Sequence, residues 1–384
     1  MKIIPLCEVF GRCGGCAYQD IDYSAQIVIK KNNVFELLNR AGIPILKDNI
    51  RIFYKNEFYY RNRMDFIFSE KGCGLREKGK FYKIVNFDRC YIAAERINQL
   101  LKEVNNWSKD LISEDIFDIK KKKGVLRYCV IRNAIFTDDT LITFILNKDA
   151  DTEKIKAIIE KIKEFSNKTT AKNVLYGFVR YNTDVSITDE FFILKGSEFI
   201  REKLLDVDFF YHSQGFFQSN PAMILDMFFY IKDRIKDHYD LLVDMFCGVG
   251  TFGIFLSGFA KNVLIFDNNK YAELCALKNI EINKKFNIRF ERMDILDVEK
   301  LLPVVKGKKC IFIIDPPRAG LHKKAINFIL SALPEKIFYI SCNPAKFVED
   351  FKYLNEKYNI IDFALFDMFP QTPHIESVTE IERK

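Results

Sequence analysis

The sequence predicts an α/β protein in which an α+β region is followed by a doubly wound, Rossmann-like sheet. In the second half, short apolar runs alternate with helical segments, and several runs end in Asp, Cys or Gly. In the first half, aromatic and polar residues alternate between glycines, which is typical of antiparallel strands. The chain has 384 residues, more than one hydrophobic core usually serves, so two or three domains are expected.

The composition is that of a soluble protein with an excess of basic residues. Hydrophobic residues make up 48% of the chain, charged residues 29%, and the formal net charge is +7. Such a charge suits a polyanionic partner without requiring one. The segment from Met1 to Cys7 has too short an apolar stretch for an export signal, and no run of about 18 apolar residues follows. We therefore expect a cytoplasmic protein.

The elements of the first half follow from local pattern. A helix is expected at about 21–41, and antiparallel strands between 56 and 87, where Gly72, Gly74 and Gly79 mark turns. A helix at 152–165 would place its isoleucines on one face. Further strands are expected at 125–133, 140–146, 173–182 and 191–194.

Basic and aromatic residues are interleaved in this half. Lysines fill positions 120–123, and arginines and lysines between 61 and 83 alternate with phenylalanines and tyrosines. Cations that meet phosphates, beside aromatic rings that stack on bases, are how proteins bind single-stranded nucleic acid. For any one residue, a core aromatic or a solvated lysine is the more ordinary explanation. The pattern as a whole predicts an RNA-binding α+β domain.

Four of the ten cysteines are spaced as ligands. Cys7, Cys13 and Cys16 form C-x5-C-G-G-C, and Cys90 follows as a distant fourth thiol. The two glycines let the backbone fold tightly between ligands. Four thiolates match either tetrahedral zinc or a [4Fe–4S] cluster, and zinc sites more often show two separated C-x2-C pairs. The pattern therefore favours the cluster.

The pattern changes after His212. Asn220-Pro221 is a helix start, with Asn as the cap and Pro in the first turn, and leads into a helix that ends at about 235. Strands and helices then alternate, which predicts the doubly wound sheet. The strands are expected at 241–243, 262–266, 288–290, 311–314 and 337–340.

A glycine-rich loop follows the first of these strands, from Asp244 to Thr251. Alone it is a weak signal, because such loops bind many nucleotides. Asp267 closes the second strand, where a carboxylate can accept ribose hydroxyls, and Asp294 closes the third, where it can meet the adenine edge. No phosphate-binding lysine follows the glycines. A nucleoside without phosphates is therefore expected, and S-adenosylmethionine is the common one.

Two reactive groups follow on the next strands. Asp315 begins D-P-P-R directly after one apolar run, and Cys342 lies in S-C-N-P directly after the next. Open α/β sheets place their chemistry at the carboxyl ends of the strands. A thiol and a carboxylate at that edge predict covalent catalysis on a bound ligand.

Taken together, these motifs resemble those of the RNA uracil-C5 methyltransferase family, specifically its iron–sulfur branch. The resemblance covers nearly the whole chain. It is carried, in order, by the cysteine triplet with Cys90, Gly74-Leu75-Arg76, Leu126-Arg127-Tyr128, the segment 214–220, the DMFCGVG loop, DPPRAG, ISCNP, and the segment 367–377.

The resemblance implies a division into three regions and a set of site residues. The regions are an iron–sulfur cluster-binding region at 1–95, a central α+β RNA-binding domain at 50–205 and an S-adenosylmethionine-dependent methyltransferase domain at 206–384. A [4Fe–4S] cluster is implied on Cys7, Cys13, Cys16 and Cys90. Cofactor contacts are expected at Gln218, Phe246, Gly248, Gly250, Thr251, Asp267, Asp294 and Asp315. The nucleophile would be Cys342 and the general base Glu376.

The chemistry of uracil agrees with these roles. C5 of uracil is a poor nucleophile, so a thiolate must first add at C6 and turn C4–C5 into an enolate, which is the role of Cys342. After methyl transfer, Glu376 would remove the C5 proton and the thiol would leave. Arg318 and Asn343 are expected to bind or polarise the base, or to brace the loop. Phe216 is expected to stack on a uracil extruded from its helix or loop.

The target uridine is open on sequence alone. Many family members carry an accessory β-barrel before the cysteines, for which Cys7 leaves no room, and this resembles the shorter branch that modifies 23S ribosomal RNA. We therefore expect a monomer acting on 23S rRNA. The alternative is the T-loop uridine of transfer RNA, because the catalytic motifs are shared.

Other classes of protein are less consistent with the motifs. A cytosine-C5 methyltransferase would carry a second Pro-Cys where Asp315-Pro316-Pro317-Arg318 stands, and an amino methyltransferase would carry an aromatic residue in place of Arg318. The alternative from a different class is a noncatalytic iron–sulfur RNA-binding factor that retains a cofactor fold.

Overall fold

The computed structural model of the protein describes residues 2–384 and divides into two compact units. The first unit comprises residues 2–22, Asn56–Lys203 and His212–Gln214. The second comprises Tyr23–Lys55, Leu204–Tyr211 and Gly215–Lys384. No helix in the described range is long and apolar enough to span a lipid bilayer.

Helices and strands account for most of the described chain. The α-helices are α1 (Tyr23–Arg40), α2 (Glu95–Trp107), α3 (Thr152–Lys168), α4 (Pro221–Lys232), α5 (Thr251–Phe255), α6 (Lys270–Ile282), α7 (Leu302–Val305), α8 (Lys323–Ala332) and α9 (Pro344–Leu354). The strands are β1 (Arg51–Phe53), β2 (Arg63–Ser69), β3 (Gly72–Glu77), β4 (Lys80–Asn86), β5 (Leu126–Asn133), β6 (Thr140–Asn147), β7 (Asn173–Val179), β8 (Phe191–Lys195), β9 (Phe199–Leu204), β10 (Val207–His212), β11 (Tyr239–Met245), β12 (Ala260–Asp267), β13 (Ile288–Arg292), β14 (Cys310–Ile314), β15 (Lys336–Ser341), β16 (Tyr358–Phe366) and β17 (Glu376–Arg383).

The first unit is built on a seven-stranded sheet in the order β4-β3-β2-β5-β6-β7-β8. Its neighbours are antiparallel except β6 and β7, which are parallel and are joined by α3. Apolar side chains of α2 and α3, such as Leu101 and Ile162, pack with Phe66 and Phe144 of the strands in one core. The predicted antiparallel strands and the predicted helix at 152–165 are confirmed.

The second unit is built on an eight-stranded mixed sheet in the order β1-β16-β17-β15-β14-β11-β12-β13. The strands β15, β14, β11, β12 and β13 run parallel, as the alternating pattern predicts. Strand β17 is antiparallel to both of its neighbours, β15 and β16. The Rossmann-like sheet predicted for this half is confirmed, with a mixed rather than a purely parallel edge.

The predicted region boundaries differ from these units at a few residues around 204–214 and, at greater length, at one segment near the start of the chain. Residues Tyr23–Lys55 fall inside the predicted region 1–95, but they belong to the second unit. Strand β1 pairs in parallel with β16, and Val34 and Leu38 of α1 lie in the core of the second unit. Pairing between segments this far apart in the chain is not encoded in the periodicity of neighbouring residues, so the sequence pattern did not reveal it.

Candidate active site

The loop between β11 and α5 is shaped for close approach of a ligand. Phe246 has φ +63°, and Gly248 and Gly250 have φ +54° and +86°. Only glycine adopts the left-handed region without cost, so Phe246 is held there against its preference. Gly253 is required for packing, because a Cβ there would lie 2.5 Å from Cγ2 of Ile265. The loop is therefore fixed by its neighbours.

A cavity opens beside this loop within the second unit. Five of the predicted cofactor-binding residues line it, together with Phe216, which is predicted to contact the substrate. Gln218 donates a hydrogen bond from Nε2 to Oδ2 of Asp315 over 3.1 Å. The predicted cofactor residues that the structure brings together here are Gln218, Phe246, Gly248, Thr251 and Asp315.

Asp244 is a residue of this cavity that the sequence reasoning missed as a site residue. It is 1% exposed, and its Oδ2 accepts a hydrogen bond of 2.8 Å from the backbone N–H of Gly253. Its Oδ1 has no hydrogen-bond partner within residues 2–384. A buried acceptor without a partner is costly unless a ligand satisfies it. Its position as the last polar residue of β11, before the glycine-rich loop, was the available signal.

Burial raises the affinity of the carboxyl groups at this edge for protons. Burial, followed by the nearby Asp315 and Asp267, raises the pKa of Asp244 to about 8. Burial raises the pKa of Asp315 to about 7. A cationic ligand would relieve this crowding of carboxyl groups, whereas a phosphate would add to it. The cavity thus fits a nucleoside that carries a sulfonium and an ammonium group.

The remaining predicted cofactor residues lie outside the lining of this cavity. Asp267, at the end of β12, accepts hydrogen bonds from the backbone of Gly248 over 3.0 Å and of Asn269 over 2.9 Å. Asp294 caps the turn after β13, where Oδ1 accepts from Leu296 over 2.9 Å. Gly250 caps α5 with its left-handed backbone. Their contacts with a cofactor remain predictions.

Cys342 lies between the end of β15 and the first turn of α9, and its side chain is partly exposed. Burial raises the pKa of its thiol, and nearby Glu376 and Asp315 raise it further. Arg318 donates a hydrogen bond to the thiol and opposes that rise. The N-terminus of α9 also favours negative charge at this position. These two features would stabilise the thiolate that a nucleophilic cysteine must form.

Glu376 reaches the same edge on the antiparallel strand β17. Ser341 of β15 pairs with Ser377 of β17. Because the two strands are antiparallel, Cys342 and Glu376 come next to this pair, at the same end of the two strands. Glu376 is 4% exposed, and burial followed by the nearby Asp315 raises its pKa to about 8. We refer to Asp244, Asp315 and Glu376 as the acidic cluster. Within it, Glu376 has a proton affinity suited to a base that acts near neutral pH.

The segment that leads into β17 is anchored by α1. Lys30 Nζ lies 2.6 Å from Asp367 Oδ1, and both side chains are fully buried. Lys30 also donates to the carbonyl of Phe369 over 3.1 Å, and Tyr23 donates to Asp367 over 3.0 Å. These contacts fix the chain at 367–369, seven to nine residues before Glu376. The sequence reasoning missed them, because the two partners lie at opposite ends of the chain.

The three predicted substrate-binding residues are all accessible to a ligand. Phe216 is 62% exposed at the mouth of the cofactor cavity, and the adjacent Phe217 stacks on Tyr211 with ring centroids 4.4 Å apart. Arg318 is exposed beside Cys342. Asn343 occupies the cap position of α9, but its side chain makes no capping hydrogen bond. Their roles toward a base remain predictions.

The four predicted cluster ligands line one small cavity in the first unit. Each sulfur accepts a hydrogen bond from an N–H group: Cys7 from the backbone of Val9 and Phe10, Cys13 from that of Gly15, Cys90 from that of Ile92 and Ala93, and Cys16 from the side chain of Gln19. Burial raises the pKa of all four thiols. The donors therefore favour thiolates at a place where burial alone would disfavour them.

The thiols of this cavity do not converge on a single ion. Among residues 2–384, no group of three or more His, Cys, Asp or Glu side chains is arranged to hold one metal ion. A tetrahedral zinc ion would draw its sulfurs to about 2.3 Å from the metal. A four-iron cluster is larger and separates its ligands further. A [4Fe–4S] cluster on these four thiols therefore remains a prediction.

Comparison with known proteins identifies the family. A model of the tRNA (uracil-5-)-methyltransferase family matches residues 22–384. The tRNA (uracil(54)-C(5))-methyltransferase of Pyrococcus abyssi is 33% identical over 99% of this chain and 86% of its own length. Its Pyrococcus furiosus counterpart is also 33% identical, over 100% of this chain and 86% of its own length. The chain belongs to the tRNA (uracil-5-)-methyltransferase family.

A solved structure supports the fold of this family member over nearly its full length. The crystal structure of the Pyrococcus abyssi tRNA (uracil-54, C5)-methyltransferase in complex with S-adenosyl-L-homocysteine matches it with a TM-score of 0.77 at 32% identity. The match covers 96% of this chain and 86% of that one. The predicted resemblance to RNA uracil-C5 methyltransferases is therefore confirmed. The predicted 23S rRNA specificity is not supported: three Pyrococcus relatives are named as methyltransferases of uracil 54 in transfer RNA, which favours the alternative.

Proposed function

We propose that this methyltransferase transfers the methyl group of S-adenosylmethionine to C5 of uridine 54 in the T-loop of transfer RNA. One observation carries the chemistry of the proposal: Cys342 directly follows β15, Glu376 begins the neighbouring β17, and both groups interact electrostatically with Asp315, which lines the cofactor cavity. Nucleophile, base and methyl donor are the three parts that C5 methylation of uracil requires.

The cofactor would be held by Gln218, Phe246, Gly248 and Thr251 around the loop, with Asp244 and Asp315 beneath it. Asp267 would accept hydrogen bonds from the ribose hydroxyls. When bound, S-adenosylmethionine supplies an electrophilic methyl group on a positively charged sulfur. The unpartnered oxygen of Asp244 and the raised pKa of Asp315 both favour a ligand of that charge.

The first chemical step is addition of Cys342 to the uracil ring. The thiolate sulfur bonds to C6, and the electrons of the C5–C6 double bond move to form an enolate over C5, C4 and O4. Arg318 donates to the thiol and would favour its ionised form, while Asn343 would hydrogen-bond the base. The enolate carbon C5 then takes the methyl group, and S-adenosylhomocysteine is the by-product.

Glu376 completes the reaction. After methyl transfer C5 is saturated and carries one proton, which the Glu376 carboxylate removes as the C5–C6 double bond re-forms. The bond between C6 and the Cys342 sulfur breaks, and the thiolate leaves. Because Glu376 is buried and its pKa is raised to about 8, it binds this proton firmly and must lose it to water before the next turnover.

The choice of transfer RNA rests on the relatives. The Pyrococcus proteins that match nearly the whole chain are named for uracil 54 of tRNA. The test is to incubate the protein with unmodified tRNA transcripts, a 23S rRNA fragment set and S-adenosylmethionine that carries a tritiated methyl group. We expect label only in transfer RNA, and no label when uridine 54 is replaced by cytidine. Labelled 23S rRNA with unlabelled transfer RNA would overturn the choice.

The covalent step has its own test. A transcript with 5-fluorouridine at the target should form an adduct at Cys342 that survives denaturation, since fluorine cannot leave as a proton does. Cys342→Ala should form none. Methylation by Cys342→Ala would reject covalent catalysis, and a wild type that binds RNA but never transfers methyl would favour the noncatalytic binding factor. Mapping 5-methyluridine in cells with and without the gene would establish the target in vivo.

A [4Fe–4S] cluster on Cys7, Cys13, Cys16 and Cys90 is part of the proposal. The support is that all four thiols line one cavity and all four accept N–H hydrogen bonds. Such a cluster would tie the N-terminal segment to the stretch between β4 and α2, where Cys90 lies. Protein purified without oxygen should hold about four irons and four sulfides per chain. One zinc per chain instead would refute the cluster.

A further inference from the structure

A third cavity, of about 980 Å³, lies entirely within the first unit and has no part in the proposed chemistry. Nine basic and six acidic side chains line it, so its lining is positive overall. Its sides are β4, the turn 118–123 and the start of β5. We call this cavity the basic groove; its lining includes Phe81, Tyr82, Lys120, Lys121, Lys122 and Arg127.

The lysines of the groove are held in a defined turn. The Oδ1 of Asp118 accepts hydrogen bonds from the backbone N–H of Lys120 over 2.8 Å and of Lys121 over 3.0 Å. The backbone of Asp118 pairs with Lys122 and Lys123, each over 2.8 Å. The four lysine side chains are exposed. A turn fixed in this way presents several cations at set positions, which a flexible basic loop does not.

Aromatic rings stand opposite these cations. Phe81 and Tyr82 of β4 are 62% and 39% exposed, although large aromatic side chains are usually buried. Lys120 Nζ lies 3.8 Å from the centre of the Tyr82 ring. Exposed rings beside ordered cations form a surface on which a base can stack while its phosphates are neutralised.

Arg127 also lines the groove. Arg127 is 3% exposed, and two of its nitrogens donate to the carbonyls of Arg180 and Thr183. Its Nε has no hydrogen-bond partner in the described part of the chain. Of the acidic residues in the lining, Asp184 is already paired with Arg76 over 2.6 Å. The groove is therefore lined by exposed lysines and aromatic rings, with Lys120 over one face of the Tyr82 ring and Phe81 62% exposed.

We infer that the basic groove binds an unpaired stretch of the RNA substrate, with a base stacked on Tyr82 or Phe81 and phosphates on Lys120, Lys121 and Lys122. This inference rests on the proposed function, which makes RNA the substrate. An acidic peptide would use the lysines but not the exposed ring faces. The nucleophile and the base lie in the other unit, so the groove holds the RNA without taking part in methyl transfer.

The test compares two triple variants of the full-length protein. Replacing Lys120, Lys121 and Lys122 with glutamine removes three charges from the groove. The matched control replaces Lys156, Lys163 and Lys168, which are exposed on α3 and do not line it. Binding of an unmodified tRNA transcript is measured at salt concentrations between about 50 and 300 mM, because phosphate contacts make the affinity depend on salt.

We expect the groove variant to raise Kd for the transcript at least tenfold near 100 mM salt, with kcat unchanged. Each single-stranded phosphate contact contributes about 0.7 to the slope of log K against log salt, so the slope should fall by about 2. The control should change Kd less than twofold. Tyr82→Leu should weaken binding roughly tenfold with the slope unchanged, because stacking is not ionic.

An equal loss of transcript affinity in the groove variant and the control would overturn the inference, since general surface charge would then explain both losses. Unchanged transcript binding in the groove variant, with loss of binding to a polyglutamate peptide, would assign the groove to an acidic partner instead. The proposed function fails separately. If the wild type binds the transcript through the groove but forms no adduct with 5-fluorouridine RNA, the groove stands and the chemistry does not.

Discussion

Replacing Lys30 with methionine should destabilise the second unit by about 3–5 kcal/mol, because it leaves the carboxylate of Asp367 buried without its cation. Both side chains are fully buried and their charged atoms are 2.6 Å apart. Asp367 keeps its hydrogen bond from Tyr23, over 3.0 Å, which places the expected loss toward the lower end of that range. Methionine retains the length of the lysine stem, so little of the loss would come from a cavity.

A double-mutant cycle separates the pair from its surroundings. Asp367→Leu alone should cost a similar amount, since Lys30 is then the buried charge without a partner. The double variant should recover much of the loss, with a coupling energy of about 2–3 kcal/mol. The control is Arg40→Met on the same helix, whose partner is Glu36 and whose side chain is 79% exposed. Loss of that exposed pair should change the free energy of unfolding by less than about 0.5 kcal/mol.

The assay must report on the second unit. The single tryptophan, Trp107, lies in the first unit, so its fluorescence is not suitable. Hydrogen exchange of peptides from α1 and β17, with urea unfolding followed by circular dichroism, measures the relevant free energy. The Lys30 variant should also turn over slowly while still forming the 5-fluorouridine adduct, because the anchored segment leads to Glu376. A loss below 1 kcal/mol, or no coupling in the cycle, would refute the reasoning.

Three further predictions concern the sheet edge. Glu376→Gln should lower kcat by about 10²–10⁴-fold and should trap a methylated covalent complex with ordinary uridine RNA on denaturing gels; normal release of product would assign the base elsewhere. Gly253→Ala should cost about 1–3 kcal/mol by overpacking and weaken binding of S-adenosylmethionine by calorimetry, whereas Gly258→Ala, which faces open space, should do neither. The acidic cluster has pKa values raised to about 7 or 8, so between about pH 5 and 7 the native state binds more protons than the unfolded state. Thermal stability without cofactor should therefore fall from pH 5 to pH 8, and a rise across that interval would contradict the assignment.

Local pattern was sufficient to find most of the residues proposed for the site. Asp315 and Cys342 each come directly after a short apolar run, and the parallel order of β11, β14 and β15 brings their ends to one edge. Since parallel strands share a direction, residues that follow them are neighbours wherever they fall in the sequence. The glycine-rich loop was found in the same way, although the buried role of Asp244 within it was not.

The place of Glu376 could not be derived in this manner. Its motif indicated a role, but β17 runs antiparallel between β15 and β16, and only that insertion places the carboxyl group beside Cys342. Strand order within a sheet depends on which edges remain open after the others have paired. No local periodicity records that choice.

The amino-acid sequence by itself indicated many of the helices and strands, the loop chemistry at the strand ends and the close cysteine triplet, because each is a matter of spacing over a few residues. Only the tertiary structure decided that α1 and β1 belong to the second unit, that Lys30 neutralises Asp367, and that the basic groove forms around an ordered lysine turn. Those features join segments far apart in the chain. They are decided by burial and by the pairing of charges, which act on contacts in space and not on neighbours in sequence.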